Sequence, residues 1–249
     1  MSFVYIPNLW AFYTLCCILG NSFCLHYTFA TPISNSQRSE KLFADFSDVP
    51  NIPVPITAGL LPLPNYKHLK YPSFNLGASP LGSPGLLDIF PINGSVPYAI
   101  ARYLVADLLV TNPSFTASYE GSDIKKFNLH SLNYFCSTVN AGPAPNSVLI
   151  DCTLKFVAYY ASKKGDGRMV KGGEVEVRFV PLPGGETPII NTRKSPMAFV
   201  DFGGEFDGAE TVEIEYVKGK TIGLIGGVEV PEVLAFVGVD NLNYTVFYK

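Results

Sequence analysis

The feature that most constrains the fold is a two-residue alternation of apolar and polar side chains in the second half of the chain. Residues 174–179 (EVEVRF) and 212–216 (VEIEY) alternate strictly, and residues 126–136 and 148–160 do so over longer stretches. Successive side chains of a strand point to opposite faces of a sheet, so these segments predict half-exposed strands. The alternation in residues 126–136 changes phase near Ser131, which predicts a β-bulge there. Residues 126–136 and 148–160 are joined by a turn segment at 142–145 (GPAP), so we expect them to form an antiparallel pair of neighbouring strands.

The rest of the chain favours strands and turns over helices. Proline and glycine are dense between residues 59 and 94, which prevents long helices. Residues 97–111 (PYAIARYLVADLLVT) fit both a helix and a strand, and residues 233–249 supply the closing strand or strands. Because no βαβ rhythm is present, we predict an all-β protein: a two-sheet antiparallel β-sandwich with jelly-roll or Greek-key connections.

The chain divides into three predicted parts. Residues 9–20 (LWAFYTLCCILG) form an apolar run of signal-peptide length, so residues 1–30 are predicted to be a cleaved signal peptide. The alternative is an uncleaved membrane anchor across residues 9–30. Residues 31–55 are polar and rich in proline, which predicts a flexible lead-in or pro-segment. Residues 56–249 are predicted to form a single domain.

Two cysteines would remain after removal of the leader. Only Cys136 and Cys152 are left in the predicted mature chain, and an even number of cysteines in a chain that we expect to be secreted predicts one disulfide. Zinc is a poor alternative, because no CxxC or HxxxH spacing accompanies the pair. Two N-glycosylation sequons, at Asn93 and Asn243, fit the same extracellular localisation.

Charge and motifs limit the function classes. A formal net charge of -3 without a basic cluster argues against nucleic acid as a partner. His68 and His130 lack the motif of a catalytic triad, so the sequence favours a protein without catalytic activity. A carbohydrate-active hydrolase or lyase stays open through paired carboxylates such as Glu205 and Asp207.

Acidic residues predict at most a structural calcium ion as a cofactor. Asp201, Glu205 and Asp207 lie in a glycine-rich segment (DFGGEFDG), where carboxylate oxygens could bind Ca²⁺. Asp240 interrupts an apolar strand, so it either turns outward at a bulge or is satisfied by an ion or by backbone amides.

Tyrosines are the predicted ligand-binding side chains, because sugar recognition on a β-sandwich uses exposed aromatic rings. The candidates are Tyr66, Tyr71, Tyr159 and Tyr160. Tyr159 and Tyr160 are adjacent in a predicted strand, so they must point to opposite faces.

Four segments carry a resemblance to a group of known proteins. Residues 127–139 (FNLHSLNYFCSTV), 151–160 (DCTLKFVAYY), 175–181 (VEVRFVP) and 233–249 (VLAFVGVDNLNYTVFYK) are similar to the pattern of secreted fungal proteins of unknown function. The resemblance covers residues 61–249. It implies a jelly-roll sandwich akin to galactose-binding-like carbohydrate-binding modules, and it carries over no catalytic residue.

Together these features predict a secreted, non-catalytic binding protein that recognises carbohydrate at a cell wall or host surface. The first alternative is a secreted effector or surface protein that binds another extracellular protein. The second is the carbohydrate-active hydrolase or lyase. The predicted partner is therefore a glycan or an extracellular protein, with no nucleic acid and, after leader cleavage, no membrane.

Overall fold

The described part of the chain is built from β-strands and contains no helix. The computed structural model describes residues 37–49, 62–77, 90–91, 98–103, 112–140, 146–181, 194–195, 197–219, 222–225, 228–231 and 235–249. The strands are β1 Ser39–Ala44, β2 Phe74–Gly77, β3 Phe90–Pro91, β4 Tyr98–Tyr103, β5 Ser114–Thr116, β6 Ile124–Asn140, β7 Asn146–Leu149, β8 Cys152–Ala161, β9 Met169–Phe179, β10 Lys194–Ser195, β11 Ala198–Asp201, β12 Thr211–Gly219, β13 Ile222–Ile225, β14 Val228–Pro231 and β15 Ala235–Tyr248.

A seven-stranded antiparallel sheet is organised around two long strands, β6 and β15. These strands pair along most of their length. Along the edge that faces away from β6, β15 pairs first with β4 and then with β1. Along the edge that faces away from β15, β6 pairs first with β11 and then with β7. β2 extends the sheet beyond β4. Long alternating segments of the sequence therefore become the centre of the sheet, and shorter segments form its margins.

A four-stranded antiparallel sheet has the order β5-β12-β8-β9. β8 and β9 are consecutive in the chain, whereas β5 and β12 come from distant segments. β3 with β10 and β13 with β14 form separate two-stranded pairs. The predicted two-sheet antiparallel sandwich is confirmed.

The core contains apolar side chains of both sheets. Tyr134 of β6 contacts Phe156 of β8 and Phe179 of β9 edge-to-face, with ring centroids 6.4 and 6.2 Å apart. Such pairs contribute about 0.5–1.5 kcal/mol beyond the burial of their area. Phe202 extends the cluster, with its ring centroid 5.2 Å from that of Phe156. One continuous apolar cluster thus joins the two sheets.

The predicted disulfide between Cys136 and Cys152 is confirmed, and it connects the two sheets. Cys136 lies in β6 of the seven-stranded sheet, and Cys152 begins β8 of the four-stranded sheet. The alternation suggested that residues 126–136 and 148–160 pair directly. Instead β6 pairs with the short β7, and the chain then crosses to the other sheet before β8. The bond therefore links packed layers rather than neighbouring strands.

The irregularity expected near Ser131 is also present. The pairing of β6 with β15 shifts register around Ser131 and Asn243. Asn241, next to the shift, has a positive φ of 54°, a conformation that asparagine tolerates better than most residues. The bulge changes which side chains of β6 face solvent.

The N-terminal part of the described chain belongs to the sheet, upstream of the domain start predicted at residue 56. β1 pairs with β15 over six residues, from Ser39↔Phe247 to Ala44↔Leu242. Ala44 and Phe46 are fully buried. The expectation of a flexible lead-in over residues 31–55 followed the overall polarity of the segment, whereas its described side chains Ala44, Phe46 and Val49 lie in the core.

Two other expectations concern the start of the chain and residues 97–111. The signal peptide predicted for residues 1–30 lies outside the described residues. In residues 97–111, the described positions 98–103 form a strand and not a helix. No segment described by the structure forms a helix with the length and hydrophobicity needed to cross a bilayer.

Candidate functional site

The outer side of the seven-stranded sheet, which is buried at Phe135, Ser137 and Asp240, carries elsewhere a polar row that ends in an aromatic ring. Asp201 of β11 pairs with Ser131 of β6, Ser131 with Asn243 of β15, and Asn243 with Phe43 of β1. Directly opposite residues share a face of the sheet. The side chains next to them in sequence, Val200, Leu132, Leu242 and Ala44, are buried in the core.

A second row lies one step along the strands. Phe199 of β11 pairs with Asn133 of β6, and Asn133 pairs with Asp240 of β15. Phe199 is 66% exposed and Phe43 is 51% exposed. Among the side chains that the structure describes, these are the two aromatic residues with the greatest exposure, and both lie on this side of the sheet. We call the surface formed by Phe43, Ser131, Asn133, Phe199, Asp201 and Asn243 the amide face.

The amide face spans the width of four strands. Three strand spacings and one two-residue step place the Cα atoms of Phe43 and Phe199 about 16 Å apart. The groups between the rings are amides, a hydroxyl and a carboxylate, all of which can hydrogen-bond to a polar ligand. The aromatic rings can cover the apolar side of the same ligand. This geometry suits an extended molecule with both polar and apolar surfaces.

Hydrogen bonds fix the neighbourhood of the amide face. His130 Nε2 lies 2.9 Å from Thr245 Oγ1, so the bulged part of β6 is connected to β15 by side chains as well as backbone. Asn128 Oδ1 accepts a hydrogen bond from Gly208 N at 2.8 Å. Asp201 Oδ1 accepts from Gly203 N at 2.9 Å, which holds the carboxylate at the end of its strand. The surface is therefore largely preorganised.

The predicted tyrosines do not form a shared surface. Tyr71 is 2% exposed and packs in the core against Phe74 and Phe115, so it offers no ring to solvent. Tyr66 contacts Phe46 and donates a hydrogen bond to Asp48 Oδ1. Burial, followed by this hydrogen bond, raises the pKa of Tyr66 well above its usual value.

Tyr159 and Tyr160 point to opposite faces, as expected from adjacent strand positions. Tyr159 pairs with Thr211 on the outer side of the four-stranded sheet. Burial, and then the charge and hydrogen bond of Glu213, raise its pKa. Tyr160 donates from its hydroxyl to the carbonyl oxygen of Glu205 at 3.1 Å and packs over Gly172. Both rings are partly buried, and neither belongs to the amide face.

The acidic candidates are separated. Asp201 lies on the amide face, whereas Glu205 and Asp207 lie in the exposed turn that follows β11. Asp240 is fully buried, and its Oδ1 accepts a hydrogen bond from Asn241 N at 2.8 Å. The described residues contain no group of three or more His, Cys, Asp or Glu side chains that could hold a metal ion. Calcium stays a prediction without an assembled set of ligands.

The structure describes one of the two predicted N-glycosylation sequons. Asn243 lies in the middle of the amide face and is partly exposed. Asn93 lies outside the described residues. The prediction of a glycan at Asn243 therefore concerns the same surface as the candidate site.

A separate concavity of about 290 Å³ lies beside the disulfide. It is lined by Asp151, Cys152, Thr153, Arg178, Lys218 and Gly219. Arg178 donates two hydrogen bonds to the Asp151 carboxylate, at 3.0 and 2.5 Å. These hydrogen bonds raise the pKa of Arg178. Because its principal charges are already paired, this concavity is a weaker candidate than the amide face.

Phe43 and Phe199 were missed by sequence reasoning. Phe43 stands in a polar segment that predicted no strand, so its face could not be assigned. Phe199 lies beside Val200, and two adjacent apolar residues do not reveal which one faces the core. A partial signal was available in Asp201, which was identified for a different role.

The fold and the amide face define an all-β, disulfide-linked sandwich with a polar and aromatic surface on its larger sheet. Comparison with protein-family models, curated proteins and solved structures found no significant match. The resemblance to secreted fungal proteins therefore stays a prediction.

Proposed function

We propose that this chain is a secreted, non-catalytic binding protein that recognises carbohydrate at a cell wall or host surface through the amide face. The observation that carries the proposal is the location of both strongly exposed phenylalanines, Phe43 and Phe199, on one face with Ser131, Asn133 and Asn243 between them. Pyranose rings have an apolar side that stacks on aromatic rings and hydroxyls that bond to amides and carboxylates.

Secretion is supported by the disulfide. Cys136 and Cys152 are joined and buried, and disulfides form and persist mainly in oxidising compartments outside the cytosol. A cell wall or host surface is the corresponding place to meet a glycan. Glu205 and Asp207 lie in the exposed turn after β11 and do not belong to the amide face as defined above.

A glycan array with protein made in the bacterial periplasm tests the proposal, because the disulfide forms there and Asn243 stays unmodified. The array should contain soluble β-glucan, chitin oligosaccharides, mannan and xylan. We expect retention of at least one glycan, and Phe43→Ala or Phe199→Ala should weaken its binding about 10-fold, which corresponds to about 1.4 kcal/mol.

Val180→Ala is the matched control, since Val180 is 58% exposed but does not lie on the amide face. Its affinity should equal that of the unmodified sequence. Equal binding by all variants would place the ligand elsewhere on the molecule. Absence of any retained glycan, together with capture of a protein from host extract, would favour the protein-binding alternative.

A further inference from the structure

Asn243 and Phe43 are directly opposite each other on adjacent strands. They pair in the register of β1 with β15, and both face solvent. Directly opposite Cβ atoms lie about 4.5–5.5 Å apart. A sugar attached to Nδ2 of Asn243 therefore has the Phe43 ring within reach of its first residue.

The folded strand hides the remainder of the sequon. Tyr244 points inward, is fully buried and donates from its hydroxyl to the carbonyl oxygen of Lys67 at 2.6 Å. Thr245 Oγ1 lies 2.9 Å from His130 Nε2, and the backbone of β15 is paired on both sides here. Since a central strand cannot present an extended segment to an enzyme, a glycan must be attached before the sheet closes.

We infer that Asn243 is an N-glycosylation site whose first sugar packs on Phe43, so that the attached glycan occupies the amide face. The part of this inference that says the glycan closes a binding surface rests on the proposed function. The glycan covers an aromatic ring that is 51% exposed without it. Chains whose sheet closes before attachment stay unmodified and keep an open amide face for the proposed function, whereas modified chains have that face covered by their own glycan.

The attachment is tested in full-length protein secreted from a eukaryotic host, in an Asn93→Gln background that leaves a single sequon. Mass spectrometry of the peptide containing Asn243 should show a hexosamine-based glycan. Thr245→Ser keeps the sequon and should keep the modification, whereas Asn243→Gln should lose it. Secreted protein in which no Asn243 peptide carries a glycan would overturn the inference.

Packing on Phe43 is tested by thermal unfolding of glycosylated protein and of unglycosylated protein from the bacterial periplasm. We expect the glycan to raise the Tm by about 2–4 °C. Phe43→Ala should abolish this increase, whereas Phe199→Ala should leave it unchanged, because Phe199 lies about 16 Å away. An increase of the same size in Phe43→Ala would overturn the contact.

Closing of the surface is tested with the same panel of β-glucan, chitin oligosaccharides, mannan and xylan. Any glycan retained by the periplasmic protein should bind the glycosylated protein at least about 10-fold more weakly. Equal binding would contradict the closing. If the periplasmic protein retains none of the panel, the proposed function fails, while the mass and Tm measurements still decide the modification and its contact with Phe43.

Discussion

At the scale of single residues, Tyr134 connects the two sheets through a buried hydroxyl. Its ring is 3% exposed, and its hydroxyl donates to the carbonyl oxygen of Arg178 at 3.1 Å. Burial raises the pKa of Tyr134 to about 12. In the unfolded chain a tyrosine ionises near pH 10. Ionisation of Tyr134 is therefore opposed by the fold itself.

The sign of the resulting pH dependence follows from this raised pKa. Below about pH 10 Tyr134 is neutral in both states, and its contribution to stability is fully present. As the pH rises from about 10 to about 12, the unfolded chain loses the proton first, so this contribution decreases. Tyr134→Phe lacks the ionising group. We expect the difference in unfolding free energy between the unmodified protein and Tyr134→Phe to become smaller with rising pH.

Urea unfolding at about pH 8 and about pH 11 measures this difference. At about pH 8, Tyr134→Phe should be less stable by about 0.5–1.5 kcal/mol, because it loses one hydrogen bond. Other tyrosines ionise equally in both proteins and cancel in the comparison. A difference that stays constant with pH would show that ionisation of Tyr134 does not affect the fold.

Residue-level prediction from sequence was successful where chemistry allowed few alternatives. Cys136 and Cys152 had no credible partner except each other after leader removal. Tyrosines were harder, since a tyrosine fits both a core and a surface. Tyr71 is buried, whereas the two most exposed aromatic side chains among the described residues are Phe43 and Phe199. Exposure depends on which neighbours cover a ring, and this information comes from distant segments of the chain.

At the scale of elements, β1 is the strand that sequence reasoning did not find. Its outer residues are polar, and its contribution to the core is short. Beside it, Phe46 packs against Tyr71 edge-to-face, with ring centroids 5.5 Å apart. Pairing with β15 also satisfies backbone groups that would otherwise form a free sheet edge. Such pairing cannot be seen in a local pattern.

Truncation measures the importance of β1. A chain beginning at Gln37 retains β1, and a chain beginning at Ile56 follows the boundary predicted from sequence. We expect the first to unfold cooperatively and the second to be largely unfolded or aggregated, because it loses the buried Ala44 and Phe46 and exposes one edge of β15. Circular dichroism and size-exclusion chromatography distinguish these results. A stable monomer from the Ile56 chain would show that β1 is dispensable.

The long strands were predictable for a clear physical reason. Residues 174–179 and 212–216 alternate strictly because each lies in a sheet with one face in the core. The same rule located residues 126–136, including the change of phase near Ser131. What local alternation could not provide was the partner of each strand, and so residues 148–160 were assigned to the wrong neighbour.

At the scale of the whole molecule, the sandwich depends on contacts between its layers. Ladder hydrogen bonds run within each sheet, so the layers are joined mainly by side-chain packing and by the Cys136–Cys152 bond. The bond closes a segment with a sequence separation of 16 residues. Loops of this size constrain the unfolded chain by about 3 kcal/mol in the entropic model.

Removal of the bond should therefore weaken the entire domain and not one local region. Cys136→Ala/Cys152→Ala should lower the free energy of unfolding by about 3 kcal/mol, and its urea m-value should increase because its unfolded chain is less compact. Unmodified protein with reductant should behave like the double variant, which controls for the change of side chains. An unchanged urea midpoint would mean that side-chain packing alone holds the two sheets together.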